Sequence, residues 1–205
     1  MKPFFAILIL LLPSSAVMSA DEFVPVFEEP FDGELKPGWS WLRESPEKWR
    51  IVDGGLEILM EPEHGNDARN VLWRKAPDRR CGIWAIEVTL TSKSDPTQQY
   101  EQTGIYWMQD GRLVFKFVKE RIDGELYVFP GKKPMEAKTV QLRLVVDGEK
   151  VTAQYRPDGK GEFLTAFEGP LPPANTDQVG IQCWHGPKDA EHWIRFDDFR
   201  ILKKK

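Results

Sequence analysis

The chain has 205 residues, 28 lysines and arginines against 32 acids for a net charge of −4, and two cysteines. This near balance leaves no electrostatic footprint for nucleic acid or for an anionic membrane surface. The length suits one domain with a sizeable core, and Lys203-Lys204-Lys205 reads as a solvated end rather than a binding patch.

Residues 1–20 have the form of an export signal: Lys2, an apolar run from Phe4 to Leu12, then Pro13 and small residues. The run is too short to cross a bilayer. Cleavage is expected after Ala16, Ser19 or Ala20, leaving residues 21–205 as one secreted or periplasmic domain with no membrane insertion.

From Phe31 to Ile58 three tryptophans, Trp39, Trp41 and Trp49, stand among short strand-like runs, with a turn at Asp53-Gly54-Gly55. Such an entry suits an all-β domain that handles sugars. Strands are read over Trp49 to Val52, Gly55 to Met60, Asn70 to Arg74 and Gly82 to Thr91. They continue over Glu101 to Met108, Arg112 to Lys119, Glu125 to Phe129 and Thr139 to Asp147. The last four are Lys150 to Arg156, Glu162 to Phe167, Gln178 to Trp184 and Ile194 to Leu202. Helical periodicity is nearly absent. Short strands at this spacing predict an all-β, two-sheet antiparallel β-sandwich or jelly roll.

Asp110-Gly111, Asp123-Gly124 and Asp147-Gly148 each lie between strand-like runs, and Asp-Gly is favoured in two-residue hairpin turns because both positions take positive φ. Cys81 and Cys183 have no CxxC or short-spaced histidine partner. They either pair in an oxidising compartment, worth about 4–5 kcal/mol in the chain-entropy account, or stay as buried thiols.

A two-residue turn at Asp110-Gly111 sets Gln109 opposite Arg112, Trp107 opposite Val114 and Glu101 opposite Glu120. Alternation then puts Glu101, Thr103, Ile105, Trp107, Val114, Lys116, Val118 and Glu120 on one face, a half-wet groove. The other face, with Gln102, Tyr106, Leu113, Phe115, Phe117 and Lys119, is assigned to the core. Two glutamates directly opposite repel. The conflict is met by a nearby lysine or solvent, by sugar hydroxyls between them, or by a catalytic role, since retaining glycosidases hold two carboxyls about 5–5.5 Å apart.

The residues Phe31-Asp32-Gly33, Trp39-Ser40-Trp41, Trp49 to Leu56, Tyr100 to Ile105 with Lys116 and Glu120, and Phe196 to Ile201 carry a resemblance. The chain from about Phe27 to Leu202 resembles the concanavalin A-like jelly-roll domain at the C-terminus of family 43 β-xylosidases, also described as a domain of unknown function. In that family the domain packs on a catalytic β-propeller, which this chain lacks. The resemblance also implies a structural calcium site where the first and last strands meet, with Asp32, backbone near Gly33, and Asp197 or Asp198 as ligands.

The acidic E-x-D-x-x-E strand of family 16 glucanases is missing, as are G-x-S-x-G, P-loop and H-E-x-x-H patterns. His64 reads as a surface loop residue, while His185 and His192 flank tryptophans near the last strands without forming a metal triad. Trp107, Trp39 and Trp184 are the candidate stacking platforms, with Trp49 and Trp84 assigned to the core. Three functions follow: a non-catalytic carbohydrate-binding domain whose poly- or oligosaccharide contacts Glu101, Thr103, Trp107, Lys116 and Glu120; a glycoside hydrolase using Glu101 and Glu120; or a structural or protein-interaction domain.

Overall fold

The computed structural model describes residues 23–62 and 67–205. The expected export signal and His64 lie outside the described residues. In chain order the strands are β1 (Phe23–Glu29), β2 (Trp39–Leu42), β3 (Trp49–Val52), β4 (Gly55–Leu59), β5 (Val71–Lys75), β6 (Ile83–Ser92), β7 (Gln102–Gln109) and β8 (Arg112–Ile122). They continue with β9 (Glu125–Phe129), β10 (Lys133–Pro134), β11 (Thr139–Asp147), β12 (Lys150–Pro157), β13 (Leu164–Pro170), β14 (Asp177–Trp184) and β15 (Trp193–Lys204).

Two antiparallel sheets result. Sheet A runs β13-β12-β11-β6-β15-β4-β3, with β1 also pairing β15; sheet B runs β10-β9-β8-β7-β14-β5-β2. β15 is long enough to serve two partners on one side, β4 through Trp193–Phe196 and β1 through Phe199–Lys204. The β-sandwich expected from the strand spacing is therefore present. Three strands escape the sequence pattern for physical reasons. In β1, Pro25 interrupts the run and the register shifts between Pro25 and Phe27. β2 and β10 span only four and two residues, too few for a period to show.

The sheets meet through alternating apolar side chains. Ile86, Val88, Leu90, Leu142 and Leu144 of sheet A face Ile105, Trp107, Phe117, Val179 and Ile181 of sheet B, all without solvent exposure. Burying each such side chain contributes about 1.5–3 kcal/mol. Cys183 lies in this core, whereas Cys81 is exposed in the turn before β6, and both thiols are free. The disulfide alternative is thus not realised, and the expectation of two buried thiols holds for Cys183 only.

The β7–β8 hairpin departs from the expected register. The Asp110-Gly111 turn does pair Gln109 with Arg112, but Met108 then pairs with Leu113 and Trp107 with Phe115. Val114 is left unpaired as a β-bulge, and every later pair shifts by one: Ile105 with Phe117, Thr103 with Lys119, Gln102 with Glu120. Because side chains alternate, the shift reverses which β7 residues accompany a given β8 residue. Thr103, Ile105 and Trp107 turn inward; Gln102 and Tyr106 turn outward beside Lys116 and Glu120.

One buried ion pair organises the end of the sandwich where β14 starts. Asp177 receives Arg79 Nε at 2.8 Å, the Trp107 indole N–H at 3.1 Å and the Gln109 amide at 2.9 Å. The Arg79 guanidinium, 2 % exposed, also donates to the carbonyls of Gly148 and Pro172. Burial pushes the Asp177 carboxyl up, but the hydrogen bonds from Arg79, Gln109 and Trp107 outweigh it and hold the group below the usual carboxylate range. A depressed native pKa adds stability that is complete above the unfolded value and fades as pH falls through the native one. Arg79→Ala, which strands a buried carboxylate, should cost about 3–5 kcal/mol in urea unfolding at neutral pH. Asp177→Asn should lose stability at neutral pH and weaken the decline of the unfolding midpoint below pH 5. An Arg79→Ala variant as stable as the parent would contradict this account.

Candidate functional site

The outward face of sheet B carries a cleft of about 560 Å³. Its floor is a polar trio. Lys116 and Glu120 lie four residues apart on β8 and so point the same way. Gln102, opposite Glu120 on β7, joins them: its amide donates to Glu120 Oε1 at 2.9 Å and to the Tyr100 carbonyl at 2.9 Å, while its Oε1 accepts from Lys116 Nζ at 2.6 Å. Lys116 Nζ lies 3.4 Å from Glu120 Oε2.

Aromatic rings wall this floor. Phe129 from the end of β9 and Trp184 from the end of β14 stand with their centroids 5.3 and 5.7 Å from Lys116 Nζ, within cation–π range. Trp184 rests tilted on the fully buried Tyr106 at 5.2 Å, in a small cluster with Val118 and Ala68. Tyr100 and His185 complete the rim, both at φ 65°. Their rings are 6.4 Å apart, and His185 Nδ1 lies 3.2 Å from the Gln99 carbonyl. Tyr100 is 48 % exposed, an aromatic face open to solvent.

Burial raises the Glu120 carboxyl above its ordinary pKa, and the charge and hydrogen bond of Lys116 only partly oppose it. Burial likewise lowers Lys116, with Glu120 opposing. Each group is thereby pushed toward its neutral form. The Gln102 amide is spent within the trio, so the ammonium and the carboxyl are the floor groups left to meet hydroxyls, and the rings offer flat apolar faces.

Of the five expected site residues the cleft gathers Lys116 and Glu120. Trp107 has no solvent exposure, and its indole is committed to Asp177. Thr103 is also buried, on the inner side. Glu101 does not face Glu120: its backbone pairs with Arg121 instead. The Glu101 carboxylate is held by His192 Nδ1 at 2.6 Å and by the backbone N–H groups of Thr97 and Gln98 at 2.8 and 3.1 Å. The two glutamates are therefore not directly opposite each other, and the repulsion expected of that register does not arise. Tyr100, Gln102, Phe129 and Lys132 were absent from the expected set. For Gln102 the missing signal was the bulge, because only its shift brings the residue opposite Glu120.

The residues expected to ligate calcium lie near the junction of β1 and β15, where Glu29 pairs with Phe199. Asp32 sits in the exposed bend after β1. Both Asp197 carboxylate oxygens lie 3.0 Å from Arg195 Nε, and Asp198, on the β15 bulge at φ 51°, is 3.5 Å from Arg200. Among the described residues no group of three or more His, Cys, Asp or Glu is arranged to hold a metal ion. Calcium takes six to eight oxygens, more than these carboxylates supply by themselves.

Replacing Lys116 by Met removes the cation that opposes the burial effect on Glu120. The Glu120 carboxyl should then titrate at higher pH than in the parent, as followed by carboxyl carbon NMR; an unchanged or lower value would show that the two groups are not coupled.

No protein-family model and no curated protein matches the chain in sequence. Solved structures do match in fold. The family 43 glycoside hydrolase BlXynB from Bacillus licheniformis is 20 % identical with a TM-score of 0.66, over 90 % of this chain and 40 % of its own. A family 43 protein described as "Bacteroides ovatus Xyloglucan PUL GH43B" is 15 % identical with a TM-score of 0.65, over 89 % of this chain and 40 % of its own. The CBM2 module of the evolved Dit of Lactobacillus casei BL23 phage J-1 is 9 % identical with a TM-score of 0.56, over 89 % and 96 %. This chain thus spans about two-fifths of the family 43 proteins it matches. It has the two-sheet β-sandwich fold of a domain found in them, as its sequence motifs suggest.

Proposed function

We propose that this chain is an exported, non-catalytic carbohydrate-binding domain whose oligo- or polysaccharide ligand lies in the cleft over Gln102, Lys116 and Glu120. One observation carries the reading: a linked amide, ammonium and carboxyl floor flanked by the rings of Tyr100, Trp184 and Phe129. A pyranose presents that same pair of surfaces, hydroxyls around its edge and apolar C–H faces. Among the described residues that line the cleft, Glu120 is the one carboxyl, which favours binding over two-carboxylate hydrolysis.

The choice of saccharides to try comes from the matched structures. Their names include a xylan β-1,4-xylosidase of Bacillus halodurans, a xyloglucan-associated family 43 protein and mucin-degrading O-glycanases. Affinity electrophoresis in xylan, xyloglucan and mucin glycans should show retardation in at least one. Lys116→Met should weaken it about tenfold or more, since a charge-assisted hydrogen bond is worth about 1.5–3 kcal/mol, and Tyr100→Ala should weaken it by removing a stacking face. Retardation in none of the gels would overturn the reading. So would aryl-glycoside turnover that Glu120→Gln abolishes, which would instead make the cleft catalytic.

Export rests on the pattern of residues 1–20. Expression of the full chain in a bacterial host should yield protein outside the cytoplasm with an intact mass that begins after Ala16, Ser19 or Ala20. A cytoplasmic product of full mass would contradict it.

A further inference from the structure

A second cleft, about 450 Å³, opens where β5 ends and β14 begins. Its aromatic surface is Trp73. Leu72 beside it is buried in the core, so Trp73 points outward, on the same side of sheet B as Gln102 and Trp184. Trp73 pairs with Gly180, and Trp184 lies four residues further along β14, a run of roughly 13 Å at strand rise. The cluster of Ala68, Tyr106, Val118 and Trp184 fills part of the same face. Sheet B therefore presents two aromatic clefts on one face, opening toward opposite ends of β14.

The second cleft is built and held open by its own contacts. Around Trp73 stand Lys75, Arg80, Asn175 and Gln178. The Asp78 carboxylate clamps Arg80 through its backbone N–H at 3.0 Å and its guanidinium at 2.8 and 2.9 Å, setting a flat polar surface. Gln178 Oε1 accepts from the Gly111 N–H at 3.1 Å, and the Thr176 hydroxyl bonds Asp110, tying the wall to the β7–β8 turn. Beneath them Asp177 is anchored by the buried Arg79. A wall fixed this way loses little freedom when a ligand arrives. Its chemistry resembles that of the first cleft: a half-buried indole, an amide, an ammonium and an ion pair beside the apolar Ala76 and Pro77.

We propose that the Trp73 cleft is a second saccharide subsite, engaging another stretch of the same polymer that occupies the Tyr100–Trp184 cleft. The ligand class rests on the carbohydrate reading of that first cleft; the existence of the subsite rests on its own geometry. Two clefts facing the same way convert the second contact into an intramolecular one, so a polymer is held more tightly than a fragment that fills either alone.

The test uses the mature chain with xylotriose, xyloglucan heptasaccharide and mucin O-glycan fragments as short probes, and the parent polymers as long ones. A short probe should shift the indole N–H signals of both Trp73 and Trp184 in NMR spectra. Trp73→Ala and the exposed-site variant Asn175→Ala should weaken polymer binding about tenfold or more, while leaving short-probe binding in the first cleft unchanged. Matched thermal unfolding establishes that the variants are folded, and Trp73→Phe, which keeps a stacking face, should restore much of the affinity. Shifts confined to Trp184, with parental polymer affinity in Trp73→Ala, would overturn the second subsite and leave the first intact. Shifts confined to Trp73 would sustain the subsite and overturn the first cleft. Shifts at neither with every probe would overturn both.

Discussion

One unpaired residue, Val114, decides what the outer face of sheet B can do. Without its bulge, Glu101 would stand against Glu120, and Trp107 would share a face with Lys116. With it, Trp107 enters the core and donates to Asp177, while Gln102 and Tyr106 come out beside Lys116 and Glu120. The cleft floor is thus a product of register. The same shift removes a like-charge pair from the hairpin and replaces it with a glutamine that bonds both charged neighbours.

Charge is managed differently inside and outside the sandwich. Asp177 and Arg79 are buried together with every strong donor and acceptor matched, which holds the acid well ionised and locks β7, β14 and the adjoining loops. Glu101 is similarly satisfied by His192 and two backbone N–H groups. Glu120 is almost wholly and Lys116 largely withdrawn from water, yet they are joined only at 3.4 Å, and burial dominates both. A ligand supplying further hydrogen bonds at that point meets groups already stripped of part of their solvent. Of the two glutamates, Glu120 is the one that lines the cleft.

Some features were legible residue by residue. Thr139 to Asp147 alternates and ends in Asp-Gly, and it forms β11 over those residues; Trp49 to Val52 and Glu125 to Phe129 match β3 and β9. The pairing of Gln109 with Arg112 followed from turn chemistry. Lys116 and Glu120 were recognisable as one-face partners because a period of two survives on their own strand. Trp184 and His185 stand beside a late loop in the sequence. Tyr100 and Phe129 give no such signal: Tyr100 lies in the turn before β7 and Phe129 at the end of β9, where alternation lapses. Asp32, Asp197 and Asp198 are close to the meeting of β1 and β15 in topology, but arginines claim the last two.

The amino-acid sequence by itself determined an all-β, two-sheet sandwich, its hairpin turns and most of its strands, because period-two alternation and Asp-Gly turns are local properties of the chain. Tertiary structure alone decided which side of β7 faces the cleft, which glutamate remains available, and that a second aromatic cleft shares the face. Those outcomes depend on pairing between strands, where one bulged residue reverses the orientation of a partner strand without altering the pattern of either strand read alone.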